Sequence, residues 1–138
     1  MSQENVELVS AAFEAWNAGD MDALRNFLDP DVVQRNPEGW PEPGPLVGRE
    51  AVIHNWEEAR ELFYTDTVEP ISDFIDAGNQ VVVRTTWRGA GRGPEAHLEW
   101  TLVVTLRKRR AILQEFFWDH AQILEAVGLS EQDAHAGS

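Results

Sequence analysis

Two hydrophobic periods divide the chain: a helical one near its start and middle, and an alternating one through its second half. Apolar side chains from Val6 to Trp16 recur at helical spacing, which predicts an amphipathic helix over residues 3–18. The same spacing predicts a short helix at 21–28 and a third helix at about 49–63. Each helix has one apolar stripe, so all three are expected to pack on a common layer.

Strands are predicted where apolar and polar residues alternate. These segments are 31–36 and, in close succession, about 66–76, 80–89, 95–107 and 110–118. In the fourth segment, Leu98, Trp100 and Leu102 share one face. Glu99 and Thr101 lie on the opposite face, so one side of this strand is expected to be buried.

The order of these elements predicts an α+β domain in which the helices gather on the concave face of a curved antiparallel sheet. A last short helix is predicted at 120–127. Residues 1–129 are expected to form a single domain, because ~100–150 residues is the usual domain size. Residues 130–138 are expected to be a flexible tail.

The segment between the first strand and the third helix has four prolines between positions 37 and 45. Proline lacks a backbone donor and fixes its own φ angle, which excludes a central strand or a helix interior here. The segment is therefore predicted to be an ordered surface loop. Trp40 within it is a candidate flap over a cavity.

Large aromatic residues exceed the needs of a small core, with six tryptophans and six phenylalanines. Each can bury ~150–250 Å², so the surplus must line a cavity, an interface or both. The last strand is apolar on both faces at Phe116, Phe117 and Trp118. Such a strand is usually covered on both sides, which predicts a homodimer formed through the outer face of the sheet.

Charge and composition exclude several classes of function. The net charge is −13, and nucleic-acid binding depends on lysine and arginine to neutralise phosphates. The basic run at 107–110 is interpreted as a solvated hairpin turn. Without cysteine, the chain has no disulfide, thiolate nucleophile or cysteine-ligated metal. It begins without a signal-peptide pattern and has no apolar run of ~20 residues, so we expect a cytoplasmic protein without a membrane partner.

The chain resembles the SnoaL-like branch of the nuclear transport factor 2-like superfamily in three segments, FEAWNAGDMDALRNFLDPDVV, VGREAV and FFWDHAQILEAVGL. The resemblance covers residues 3–129. It implies a cone-shaped fold with a cavity between the concave face and the long helices, and commonly a dimer through the outer face. The residues that it places on the cavity wall, with Trp40 as the flap, are Trp16, Gln34, Asn36, Trp56, Leu98, Trp100, Phe116 and Trp118. The alternative is that these side chains simply fill the core.

Two activities of the superfamily fit the sequence poorly. The basic aspartate of ketosteroid isomerases falls on Asn36, and a carboxamide cannot accept a proton at neutral pH. Limonene epoxide hydrolase is similar around Gln34 and Asn36, and its strand arginine matches Arg84. Its two essential aspartates, however, match Thr86 and Phe116, so both carboxylates are missing.

Four residues are candidates for catalysis, namely Asn36, whose segment resembles the water-positioning segment of the epoxide hydrolase, and Arg84, Asp119 and His97. The alternation of the strand places Arg84 outward, whereas the resemblance places it in the cavity. Asp119 resembles the acid/base of SnoaL-type polyketide cyclases, which close rings by a metal-free aldol step, but it also stands where an N-cap for the 120–127 helix belongs. His97 is a candidate general base.

No metal or cofactor is expected, because the four histidines have no metal-ligand spacing. Two hypotheses of function follow. The first is binding of a small hydrophobic oxygenated molecule, such as a polyketide or terpenoid, by a protein that could be a cofactor-free cyclase, hydrolase or isomerase. The second is a non-catalytic homodimeric interaction or ligand-binding module, in which the aromatic surplus serves the subunit interface.

Overall fold

The computed structural model describes residues 2–40, 44–91, 93–121 and 123, which form three helices over one seven-stranded curved sheet. The elements in chain order are α1 (Ser2–Ala18), α2 (Met21–Phe27), β1 (Leu28–Arg35), β2 (Leu46–Val47), α3 (Arg49–Glu61), β3 (Thr65–Pro70), β4 (Ile75–Ala77), β5 (Gln80–Ala90), β6 (Ala96–Arg107) and β7 (Arg110–Phe117). The α+β class is confirmed, and so is the order of the helices and main strands.

Two strands differ from their predicted extents. The segment predicted as a single strand at 66–76 is divided into β3 and β4, both of which pair with β5. Strand β1 begins directly after α2, at Leu28 rather than at residue 31 as predicted, and passes through Pro30. The predicted helix at 120–127 and the tail at 130–138 lie mostly outside the described residues, although 120, 121 and 123 are helical.

The sheet has the strand order β2-β1-β7-β6-β5-β3, and it is mixed rather than purely antiparallel as expected. Strand β1 lies parallel to β7, while every other described pair is antiparallel. A parallel pair needs a long crossover connection, and here α3 and five strands intervene between β1 and β7. Alternation along one strand carries no information about such a distant partner.

Local chemistry explains the element boundaries. Gly19, with φ 73°, ends α1, and the carboxylate of Asp20 then accepts a hydrogen bond of 3.0 Å from the backbone N of Ala23 at the start of α2. The predicted basic turn is confirmed between β6 and β7. Lys108 and Arg109 both adopt left-handed backbone conformations there, with φ of 53° and 69°, as a tight hairpin turn requires.

Residues on the concave face divide the sheet into two halves. In the half where β5 begins and β6 ends, buried aliphatic pairs such as Val81 with Val104 and Val83 with Leu102 pack against the helices and form the core. In the other half, the concave face carries larger side chains such as Trp87, Leu98 and Trp100, which line a cavity.

The outer face has a smaller apolar cluster near the end of β7. Phe117 packs there with Val82, Val103, Ile75 and Ile123. Part of the cover that we had assigned to a second subunit therefore comes from Ile123 of the same chain. The homodimer itself stays a prediction. No helix among the described residues is long and apolar enough to cross a membrane.

A candidate ligand cavity

A cavity of about 930 Å³ lies between the concave face of the sheet and the three helices. This volume is within the ~300–1,000 Å³ usual for small-molecule sites. Seven of the eight side chains predicted for its wall line it, and so does the flap residue Trp40; the seven are Trp16, Gln34, Asn36, Trp56, Leu98, Trp100 and Phe116. These rings pack against the core on one side and border open space on the other.

Aromatic rings held in edge-to-face contact build the wall. Trp16 on α1 meets Trp56 on α3 with ring centroids 5.7 Å apart. Across the cavity, Trp100 contacts Trp40 at 5.7 Å and Phe116 at 5.6 Å. Edge-to-face pairs are a preferred geometry for aromatic rings, so each ring fixes its neighbour while leaving a face toward the open space.

Exposed members of the lining mark the mouth. They are the end of α3, where Leu62 is 75% exposed, and the first residues of β6, including Leu98. Buried residues such as Leu24, Leu102 and Val104 form the floor. A ligand would enter between α3 and β6 and meet aromatic walls before it reached the aliphatic floor.

Amide groups form an ordered polar chain on one wall. The indole Nε1 of Trp56 donates to Oε1 of Gln34 at 2.9 Å, and Nε2 of Gln34 donates to Oδ1 of Asn36 at 3.0 Å. The buried Gln34 is therefore fixed by a partner on each side. Neither amide is a proton acceptor of useful strength, so this wall can orient a polar group rather than transfer a proton.

Two other polar atoms in lining residues lack partners. Within the described part of the chain, Nε1 of Trp16 and Oγ1 of Thr85 are buried without a hydrogen bond. More than 90% of buried polar groups in proteins are hydrogen-bonded, so two exceptions around one cavity are notable. A polar ligand or an ordered water within reach of either atom would supply the missing hydrogen bond.

Asp66 and Trp87 are wall residues that sequence reasoning missed. In the sequence analysis these residues fall within the strands predicted at 66–76 and 80–89, and neither was named as a site residue. Both lie on the concave side of the sheet near the mouth. The alternation of β5 was sufficient to find Trp87. Asp66 could be found only through its pairing partner in β5.

Trp118 does not line the cavity, which corrects its predicted place. Strand β7 ends at Phe117, so the alternation that turns Phe116 inward does not continue to residue 118. Its indole is 39% exposed, lies 5.8 Å from the ring of Trp40 and donates from Nε1 to the carbonyl of Glu38 at 2.8 Å. Trp118 supports the loop that carries Trp40.

Arg84 faces the outer side of the sheet, so the alternation of its strand was right and the resemblance was wrong. Its Nη1 donates to the carbonyl of Trp118 at 2.6 Å and to Oγ1 of Thr101 at 3.2 Å. Its Nη2 lies 3.9 Å from Glu99. These contacts satisfy the guanidinium outside the cavity, where it cannot act on a bound ligand.

The imidazole of His97 also lies on the outer face, although the residue borders the mouth. Its Nε2 is 2.6 Å from Oγ1 of Thr86 and 3.6 Å from Glu99. A nucleophile triad needs the hydroxyl and the carboxylate on different ring nitrogens. Here both engage Nε2, so Thr86, His97 and Glu99 form a structural network rather than a relay.

Asp119 is exposed and does not line the cavity. It directly precedes the helical residues His120 and Ala121, which is the position of an N-cap. No group of three histidine, aspartate or glutamate side chains that could hold a metal ion occurs among the described residues. The site is thus an aromatic cavity with amides along one wall and three carboxylates, those of Glu58, Glu61 and Asp66, in its described lining.

The model of the SnoaL-like domain family matches residues 9–114, so this protein belongs to the SnoaL-like domain family. A nuclear transport factor 2-like protein of unknown function from Burkholderia pseudomallei K96243 is similar in structure, with 26% identity and a TM-score of 0.74 over 91% of this chain and 98% of the other. A search of curated proteins found no match to this sequence.

Two further solved structures share the fold. TerC, co-crystallised with polyporic acid, has 23% identity and a TM-score of 0.73 over 90% of this chain and 98% of its own. A candidate SnoaL-like polyketide cyclase from Jannaschia sp. CCS1 has 21% identity and a TM-score of 0.73 over 91% and 92%. The predicted nuclear transport factor 2-like fold is confirmed.

Proposed function

We propose that this protein binds a small, largely hydrophobic, oxygenated molecule in the cavity between the sheet and the helices. The observation that carries the proposal is the cavity itself, about 930 Å³ in volume and walled by aromatic rings, with amides placed along one side. Ligand sites usually combine a mainly apolar lining with a few placed polar groups. Two of the similar structures are candidate polyketide cyclases, which favours a polyketide-like compound as the occupant.

The proposal assigns binding rather than a particular reaction. Arg84, Asp119 and the imidazole of His97, which were expected to do the chemistry, do not face the cavity. Asn36 does, but as a carboxamide held by Gln34 it can orient a ligand without acting as a base.

A pair of neighbouring alanines on α1 allows a matched test. Ala12 lines the cavity, whereas Ala11 is exposed on the other side of the helix. An aromatic ring introduced by Ala12→Phe would occupy the space that a ligand needs, and the same ring introduced by Ala11→Phe would point to solvent.

The probe is 1-methoxypyrene, an uncharged four-ring compound with one ether oxygen, followed by energy transfer from the indoles to the pyrene. We expect saturable binding to the wild type and to Ala11→Phe, and at least about tenfold weaker binding to Ala12→Phe, the loss of ~1.4 kcal/mol of contact. Absence of saturable binding to the wild type, or equal affinity for the two variants, would remove the cavity as the binding site.

A further inference from the structure

Asp66 presents a carboxylate to the cavity because of its register in the sheet. Strand β3 pairs antiparallel with β5 so that Asp66 lies opposite Gly89 and Val68 lies opposite Trp87. Side chains alternate across a strand, so Asp66 and Val68 both turn toward the concave face. Both residues line the cavity, and the side chain of Asp66 is only 6% exposed.

Two donors hold this carboxylate in place. Nε of Arg60 lies 3.3 Å from Oδ1, and Nε1 of Trp87 donates to Oδ2 at 3.1 Å. The indole reaches Asp66 by lying across Gly89, where any Cβ would come within 2.6 Å of the ring of Trp87. Glycine at position 89 is therefore required for this hydrogen bond.

Arg60 is itself fixed by α1. Its Nη1 donates to the carbonyl of Trp16 at 2.9 Å, and its guanidinium lies 4.5 Å from the centroid of the indole of Trp16. The Arg60–Asp66 pair thus connects α3, α1 and β3. Because the carboxylate is ion-paired and hydrogen-bonded, its orientation is set before a ligand arrives.

The carboxylate retains capacity to accept further hydrogen bonds. An ionised aspartate offers about four lone-pair directions, and Arg60 and Trp87 use two of them. A carboxylate accepts and does not donate, so its partner on a ligand must be a donor.

The charges around the cavity exclude one kind of ligand. Among the residues that the structure describes, the lining contains three carboxylates, those of Glu58, Glu61 and Asp66, and no lysine or arginine. A carboxylate or phosphate on the ligand would be desolvated there without a cation to pair with it, which is costly.

We propose that Asp66 is the polar anchor of the cavity and that it binds a hydroxyl group of an uncharged, mainly apolar ligand such as a phenol, an enol or an alcohol. This inference rests on the proposed ligand-binding function and names the ligand class for it. The hydroxyl donates to Asp66 near the mouth, and the apolar body extends inward between the aromatic walls.

Three pyrene probes of matched size test the inference in the wild-type protein: 1-hydroxypyrene, 1-methoxypyrene and 1-pyrenecarboxylate, at neutral pH. A hydrogen bond to a charged group contributes enough to favour the hydroxyl over the ether by about tenfold or more. We expect the carboxylate to bind more weakly than the ether. If all three bind with equal affinity, or the carboxylate binds best, the inference is wrong while the proposed function stands; if none binds, the proposed function fails.

Asp66→Asn assigns the preference to this residue, with Asp73→Asn as its control, because Asp73 is exposed and away from the cavity. We expect the hydroxyl preference to fall to about threefold or less in Asp66→Asn, since a neutral amide is a weaker acceptor, and to persist in Asp73→Asn. A folded Asp66→Asn protein that keeps the full preference would overturn the assignment.

Trp87→Phe provides a second variant in case the unpaired Arg60 prevents Asp66→Asn from folding, which circular dichroism would reveal. Phenylalanine retains a ring against Phe63 and removes the indole donor that occupies Oδ2. The freed lone pair should accept the ligand hydroxyl more strongly, so the hydroxyl preference should rise. A preference that stayed the same or fell would count against Asp66 as the anchor.

Discussion

Two adjacent threonines on β5 show that hydrogen bonding differs between the two faces of the sheet. Thr85 faces the cavity and is 1% exposed, yet its hydroxyl has no partner within the described part of the chain. Thr86 faces outward, is 4% exposed, and its hydroxyl contacts both His97 and the carbonyl of Leu98. On the outer face the polar groups satisfy one another, whereas on the inner face some are left incomplete.

Burial on the outer face depends on the polar network itself. Arg84, Thr101 and His120 follow one another by hydrogen bonds of 3.2 and 2.9 Å, and Arg84 also holds the end of β7 through the carbonyl of Trp118. The polar groups of this region therefore find their hydrogen-bond partners within the same chain. The cavity side has the opposite character, because Trp16 and Thr85 in its lining have buried polar atoms without partners among the described residues.

The largest expected effect concerns the wall. Trp100 is 8% exposed and contacts the rings of both Trp40 and Phe116. Trp100→Ala should therefore lower the free energy of unfolding by about 3 kcal/mol. This value is at the lower end of the range for removing a large buried aromatic side chain, because one side of the indole already faces open space. Urea denaturation would measure this. Trp118→Ala, which removes the more exposed indole, should cost about 1 kcal/mol. Equal losses from the two variants would mean that the inner wall is not the better packed region.

Thr85 and Thr86 give the most direct test of the difference in hydrogen bonding between the cavity face and the outer face. Thr86→Val removes a buried hydroxyl that has partners and should cost about 1 kcal/mol of unfolding free energy, while Thr85→Val removes one without partners and should change it by less than about 0.5 kcal/mol. Equilibrium denaturation of both variants under the same conditions decides the matter. A larger loss from Thr85→Val would show that its hydroxyl is engaged after all.

The smallest effect is expected far from both faces, at the ion pair between Arg25 on α2 and Glu50 on α3. The hydrogen bond from Arg25 lowers the pKa of Glu50, so the pair stabilises the fold above the pKa that Glu50 has in the unfolded chain, and this contribution is lost as the pH falls through the folded pKa. Glu50→Gln should therefore have a slightly lower Tm than the wild type at neutral pH. The difference should shrink in acid; a difference that grew instead would contradict the assigned pair.

Elements with a regular period were predictable, because the period reports which side of each element is buried. The alternation of β6 placed Leu98, Trp100 and Leu102 on the cavity side, and the alternation of β5 placed Arg84 outside, against the resemblance. Sequence could not show the parallel pairing of β1 with β7, since the two strands form no hairpin and lie far apart along the chain.

Sequence reasoning misplaced or missed site residues in two situations. In the first the alternating pattern of a strand had ended, and in the second the role of the residue depended on a partner distant in the sequence. Trp118 follows the last residue of β7, and beyond that point alternation no longer predicts direction. Asp66 becomes meaningful only through Arg60 on α3 and Trp87 on β5, which meet it through tertiary packing. An isolated aspartate in a weakly patterned strand is indistinguishable from a surface residue until those partners are located.

The three indoles of Trp118, Trp40 and Trp100 form a continuous row from the exterior of the protein to its interior, with successive centroids 5.8 and 5.7 Å apart. Chromophores at such short separations exchange excitation energy and couple their electronic transitions. A guest molecule that touched only the innermost ring would alter the emission and the near-ultraviolet circular dichroism of the whole row. The protein thereby contains its own spectroscopic reporter, through which candidate compounds can be screened without any attached dye.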